Sequence, residues 1–236
     1  LRAAVIVTSD KVYADRNWDF GYRETDTLGG ADPYSASKAC AELVVESYRL
    51  SFALDGRGSG AVISSARAGN VVGGGDFSAD RLLPDLVRSI ETGRTLVLRY
   101  PEATRPWQHV ADPLLGYIRL AEALFLGQTH DSGWNFGPPA SRSITVGQLV
   151  QRFADDWGEG ALPVAMADSP QPKEMGMLQV DSTKAAIRLG WHPAISFDRM
   201  LDLTVQWYRA YRDDEDVSEI SRHQVDEILV STKMHD

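Results

Sequence analysis

The sequence has 236 residues, of which 43% are hydrophobic and 24% charged, ordinary proportions for a chain able to bury a core in one or two domains. A formal net charge of −9 argues against the basic footprint that nucleic-acid binding requires, and no segment reaches the apolar length of a membrane span. The single cysteine, Cys40, rules out an internal disulfide and suits a reducing compartment, so the cytoplasm is the expected location.

The run Ala3 to Thr8 is short, continuously apolar and rich in β-branched residues, the pattern of a parallel strand covered on both faces. No signal-peptide pattern precedes it, and the chain is expected to begin inside a fold. After the polar stretch Tyr13 to Asp32, Pro33 opens a helical pattern through Ala39, Leu43, Val44 and Tyr48, expected to end near Leu54. A second buried strand is expected at Ala61 to Ala66. Strand, helix and strand in this order make a parallel crossover, so the fold class is α/β with a Rossmann-like parallel sheet.

Beyond Gly73–Gly74–Gly75 the pattern is mixed. It predicts a helix at Leu82 to Glu91, a strand at Leu96 to Arg99 and a helix from about Pro113 to Leu126. Further helices are expected near Val146 to Trp157, Ser182 to Leu189 and Phe197 to Tyr211, with a proline-rich loop near Pro170 to Pro172. The expected division is 1–74 as half of a Rossmann-like domain and 75–211 as mainly a smaller mixed α/β substrate domain. Within the latter, about 107–137 return to the Rossmann-like core, and 212–236, strongly charged at Asp213 to Asp216, form a peripheral tail.

Tyr34 and Lys38 stand four apart at the start of the first helix, so both project from one face. Alone, the pair reads as a helix with an exposed lysine. Ser9, at the end of the preceding parallel strand where open α/β sheets place their ligand crevices, turns it into a Ser, Tyr and Lys set suited to hydride-transfer chemistry. An ammonium beside a phenol favours the phenolate, the form that acts as a base.

The stretches Thr8–Ser9–Asp10–Lys11, Gly30–Ala31–Asp32–Pro33–Tyr34–Ser35–Ala36–Ser37–Lys38 and Arg67–Ala68–Gly69–Asn70–Val71–Val72–Gly73–Gly74–Gly75–Asp76 carry a family resemblance. So do Arg105–Pro106–Trp107–Gln108–His109–Val110, Gly133–Trp134–Asn135–Phe136–Gly137–Pro138 and Leu189–Gly190–Trp191–His192–Pro193. Together they resemble the nucleotide-sugar 4,6-dehydratases of the extended short-chain dehydrogenase/reductase type, the CDP-glucose 4,6-dehydratases among them.

The resemblance, from about Val5 to Tyr211, implies NAD as cofactor, CDP-glucose as the nucleotide-sugar substrate and a 4-keto-6-deoxy sugar as product, with no net oxidation. It implies that Tyr34 takes the O4 proton while hydride leaves C4, that Ser9 orients that hydroxyl, and that Lys38 keeps the phenolate accessible. Tyr34 and Lys38 would also lie against the cofactor. The new carbonyl acidifies the C5 hydrogen, and Asp10 and Lys11 would serve as the acid and base that remove water across C5 and C6, with their order open.

Many such dehydratases resemble Thr–Asp–Glu where this chain has Ser9–Asp10–Lys11. An amine serves as base only when uncharged, which burial or another cation such as Lys38 favours, and Asp10 donates only when protonated, which an apolar or anionic setting favours. Outside this motif the same residues read as a surface turn.

Arg105 and Arg67 are candidates to grip a pyrophosphate, although Arg67 reads equally as half of an ion pair at a strand end. Asn70 and Asn135 resemble asparagines that hold the nucleotide sugar, or they cap turns. Gly73–Gly74–Gly75 does not fit a dinucleotide loop and reads as a substrate-side turn. Trp107, Trp134 and Trp191 read as core rather than base-stacking residues. His109 and the other histidines lack ligand spacing, so no metal is expected.

Relatives resembling this chain associate through the helix from Pro33, so a homo-oligomer is expected. The glycine-rich cofactor loop and the ribose-reading residue are absent from the sequence. A C-terminal part of the fold, inactive by itself and with one sheet edge uncovered, is therefore expected. A nucleotide-sugar 4-epimerase or reductase would share Ser9, Tyr34 and Lys38 without needing Asp10 and Lys11. A non-catalytic nucleotide-sugar-binding module is the remaining alternative.

Overall fold

The computed structural model describes all residues except 53, 56–59, 130–131, 140–143, 159–163, 167–177 and 234–236. The loop expected near Pro170 to Pro172 lies outside the described residues.

Strand β1 (Ala3–Val7) leads through a 3-10 turn at Asp10–Val12 to helix α1 (Pro33–Ser51) and strand β2 (Val62–Ala68). α1 starts where chemistry dictates. The Asp32 carboxylate accepts from Ser35 N at 3.0 Å, and Pro33 fills a position whose N–H has no helical acceptor. β1 pairs in parallel with β2, Ala3 opposite Val62 through Val7 opposite Ala66. β2 pairs in parallel with β7 (Trp134–Phe136), giving the order β1-β2-β7.

The two faces of this sheet differ in kind. Under α3 (Ala111–Phe125) lie Ala3, Val5, Ala66 and Ala68, packed with Leu120, Leu124, Trp134 and Phe136. On the α1 side the alternate positions Ser65 and Arg67, with Thr8 beyond β1, meet Glu42. β1 is not covered on both faces as its composition implied. It is the edge of the described sheet, and Ile6 and Val7 are 38% and 50% exposed.

A second core gathers α2 (Leu82–Thr92), β4 (Leu96–Leu98), α4 (Val146–Trp157) and α6 (Phe197–Arg212) around Leu86, Leu149, Phe153, Met200 and Leu201. β4 pairs with β9 (Val164–Met166), and β3 (Val71–Val72) with β6 (Gln108–His109), both in parallel. β5 (Thr104–Arg105) pairs antiparallel with β8 (Ile144–Thr145). Helix α5 (Thr183–Leu189) packs on β7 and α3. None of the helices in the described residues is long and apolar enough to cross a membrane.

The segment from residue 212 onward is not a peripheral tail. It forms α7 (Val217–Lys233), which packs on α6 with Ile228 only 3% exposed in the second core. Trp207 Nε1 donates to Ser221 Oγ at 2.9 Å, and Gln224 Nε2 donates to the Leu203 carbonyl at 2.9 Å. The charged run Asp213 to Asp216 is only the link between two packed helices.

Gly73–Gly74–Gly75 also has a structural task. A β-carbon on Gly74 would stand 2.0 Å from the Trp207 ring of α6, one on Gly73 would stand 2.9 Å from Val110, and Gly75 has φ +81°, so each glycine has its own structural reason. Trp107, Trp134 and Trp191 are all buried in the cores.

Candidate active site

The C-terminal end of β1 delivers Thr8 and Ser9 to the rim of the sheet, where Thr8 N continues the ladder by donating to Ala66 O at 2.8 Å. Ser9 caps the 3-10 turn: its Oγ accepts from Lys11 N at 3.2 Å and donates to Asp10 Oδ1 at 3.0 Å. With those bonds made, one lone pair of the hydroxyl is left for a ligand.

Asp10 is buried, and burial pushes its carboxyl from 3.8 up to about 6, against the opposing pull of the Ser9 hydrogen bond and of the Lys11 and Arg105 charges. The half-buried Tyr117 on α3 is pushed up to about 12, by burial first and then by the Asp10 charge. Lys11, Arg105, Tyr117 and Asp10 therefore share one electrostatic neighbourhood.

The turn packs on α1, whose first turns carry Tyr34 and Lys38. Tyr34 is 52% exposed and Lys38 half-buried. Among the described residues, neither the Tyr34 phenol nor the Lys38 ammonium makes a hydrogen bond. Asn70 sits just past the end of β2, and its carbonyl accepts from Gln108 N at 3.3 Å. Arg105, on β5, donates to the Thr104 carbonyl at 2.8 Å.

Two expected ligand residues lie under the site instead. Arg67 is buried and pairs with both oxygens of Glu42, Nε to Oε1 at 2.9 Å and Nη2 to Oε2 at 2.7 Å. Of its two readings, the ion pair is the one observed. Burial alone would raise the Glu42 carboxyl, but Arg67, with Ser65 and Thr8 donating as well, holds it below its ordinary value. Arg67 Nη1 also donates to Tyr13 Oη at 2.7 Å. Asn135 is fully buried, its Oδ1 accepting from Tyr13 Oη at 2.7 Å and its Nδ2 donating to Tyr22 O at 2.8 Å. It clamps the 13–32 segment onto β7, and its side chain is fully occupied there.

Glu42, Gly69 and Tyr117 went unnoticed in the sequence. Glu42 carried a usable signal, since Tyr34, Lys38 and Glu42 recur every four residues and so form one helix stripe. Gly69 and Tyr117 matter only through Asp10, which is distant from both in the chain.

Several solved structures share this fold. A UDP-glucose 4-epimerase from Thermotoga maritima superposes with a TM-score of 0.76 at 20% identity, covering 89% of this chain and 64% of that one, a likeness of fold alone. A dTDP-glucose 4,6-dehydratase from Streptomyces venezuelae with NAD bound gives 0.71 at 25% identity, over 91% of this chain and 62% of that one. The fold is thus that of the nucleotide-sugar dehydratases and epimerases, over part of their length. Residues 3–204 match the family model described as GDP-mannose 4,6 dehydratase, and the chain belongs to that family. It is 40% identical to the CDP-glucose 4,6-dehydratase of Salmonella typhimurium over 235 residues, 98% of this chain and 65% of the relative. Its likeness to the dTDP-glucose 4,6-dehydratase of Streptomyces griseus is 28% over 88% of this chain and 59% of the relative. The chain spans less than two thirds of the length of these relatives.

Proposed function

We propose that the protein is a nucleotide-sugar 4,6-dehydratase that acts on CDP-glucose with NAD. The observation that carries this is Asp10: a buried carboxyl near 6, beside Lys11 at a strand end and packed against the helix that bears Tyr34 and Lys38. An epimerase or reductase needs no acid there. The similarity to the Salmonella enzyme supports CDP-glucose as the substrate.

Tyr34 and Lys38 fit the nicotinamide end of the cofactor, because the polar ends of their side chains make no hydrogen bond among the described residues. NAD supplies what side chains lack, a group that accepts hydride from C4 and returns it to C6. As a phenolate, Tyr34 Oη accepts the O4 proton, and the Lys38 ammonium keeps that phenolate accessible. The spare lone pair of Ser9 Oγ orients the sugar. Once C4 is a ketone, Lys11 takes the C5 proton and Asp10 gives its own proton to the departing C6 hydroxyl. At pH 7 a group near 6 is protonated in about a tenth of molecules, enough for a general acid. Arg105 and Asn70 hold the nucleotide sugar.

The exposed side chains Leu43, Val44 and Tyr48 on α1 support association into a homo-oligomer through that helix. The lone Cys40 suits the cytoplasm. The deciding experiment incubates the protein, expressed from its native gene, with NAD and CDP-glucose and follows mass. Loss of one water supports the assignment. A product of unchanged mass with inverted C4 would replace it with an epimerase.

A further inference from the structure

Asp10 must reach one sugar oxygen, so something has to seat its carboxyl as well as its backbone. Ser9 holds Oδ1. The other oxygen, Oδ2, lies over Gly69, in the stretch that leaves β2. A β-carbon built there would stand 2.9 Å from Oδ2, 3.5 Å from Cγ and 4.0 Å from Cβ of Asp10. These are the three nearest atoms, and all belong to one side chain. The shortest distance is about half an ångström inside ordinary contact.

Glycine is not needed at this position for its backbone. Gly69 is absent from the glycines with positive φ, so an alanine could adopt the same conformation. What the missing side chain provides is room. Asp10 is also the group whose burial, under the charges of Lys11 and Arg105 and near Tyr117, creates a carboxyl able to donate a proton.

We propose that Gly69 is a positioning residue: its bare Cα forms the slot that receives Asp10 Oδ2 and so fixes the general acid against the sugar. This deepens the dehydratase assignment and rests on it. In Gly69→Ala the methyl displaces the carboxyl outward, toward Lys11, Arg105 and solvent, while nothing else is touched.

The test is a double-mutant cycle with Asp10→Asn, measured on the protein expressed from its native gene with CDP-glucose and NAD. Gly69→Ala is expected to lower kcat by about 10- to 100-fold with KM unchanged within about threefold. In the Asp10→Asn background it should cost nothing further. A glycine with a merely structural role would give the same loss in both backgrounds. In parallel, carbon-detected NMR titration of Asp10 should show its midpoint falling from about 6 toward the ordinary carboxylate value in Gly69→Ala. Additive losses, or a midpoint that stays or rises, overturn the proposal. If no water is lost by the wild-type protein and the Asp10 midpoint still falls in Gly69→Ala, the dehydratase assignment fails and the slot stands. Should Gly69→Ala not fold, Asp10→Ala/Gly69→Ala decides: recovery of the fold supports the slot, and failure to recover it refutes it.

Discussion

Replacing Asp10 with asparagine should make the protein more stable at neutral pH while lowering its turnover to a small but measurable residue. The carboxyl is buried and raised from 3.8 to about 6, so its ionised form is disfavoured in the folded chain by about 3 kcal/mol relative to the unfolded one. Below about pH 4 the group is protonated in both states and that contribution to stability is fully present. Between about pH 4 and 6 the unfolded chain releases the proton while the folded chain keeps it, so stability declines as pH rises. Above pH 6 the whole penalty applies. Asparagine keeps an oxygen for the Ser9 hydroxyl and carries no charge. Asp10→Asn should therefore match wild type near pH 4 and exceed it by up to about 3 kcal/mol at pH 8. Urea unfolding of both proteins across that range checks this, and the difference between them cancels the titration of every other group. A variant no more stable than wild type at pH 8, or one with the same advantage at pH 4, would refute the claim that Asp10 is held ionised at a cost.

Tyr34→Phe should abolish formation of the ketone, whereas Lys11→Met should leave hydride removal from C4 intact and stall water loss. Cofactor absorbance and product mass separate the two steps, and equal loss of both in Lys11→Met contradicts its role as base. Glu42→Gln strands the buried Arg67 charge and should cost about 3–5 kcal/mol in urea unfolding, with Glu42→Gln/Arg67→Met recovering part of it. Ile228→Ala should cost about 2–5 kcal/mol, whereas a residue on a peripheral tail would change stability by less than about 0.5 kcal/mol.

The sequence carried the main scaffold wherever a period was long enough to read. β1, α1, β2, α2, α3, α4 and α6 all fall close to their expected places, since each carries an apolar repeat or a helix-start signal such as Asp32–Pro33. β3, β5, β6 and β8 are two residues each, too short for any alternation to show. α7 was hidden by the acidic run before it, although Val217, Ile220 and Ile228 had the spacing of a buried stripe. The grouping of Ser9, Asp10 and Lys11 was legible because neighbouring residues in one tight turn cannot separate. The fate of Arg67 was not. Whether a strand-end arginine meets a ligand or a carboxylate depends on Glu42, which lies on another element. Gly74 was opaque for the same reason, because the ring it makes room for, Trp207, is remote in the chain.

The unlike faces of the central sheet set different rules for the helices that cover them. α3 rests on hydrocarbon from the sheet, Ala3, Val5, Ala66 and Ala68, with no charge to match. α1 is keyed: Glu42 fits one lock of Arg67, Ser65 and Thr8, and sliding the helix by a turn would leave charges without partners. Inserting a single residue between Lys38 and Glu42 would leave the lock closed while swinging Tyr34 and Lys38 by about 100° around the helix axis. The stretch from Tyr34 to Glu42 therefore behaves as a ruler whose length is not adjustable.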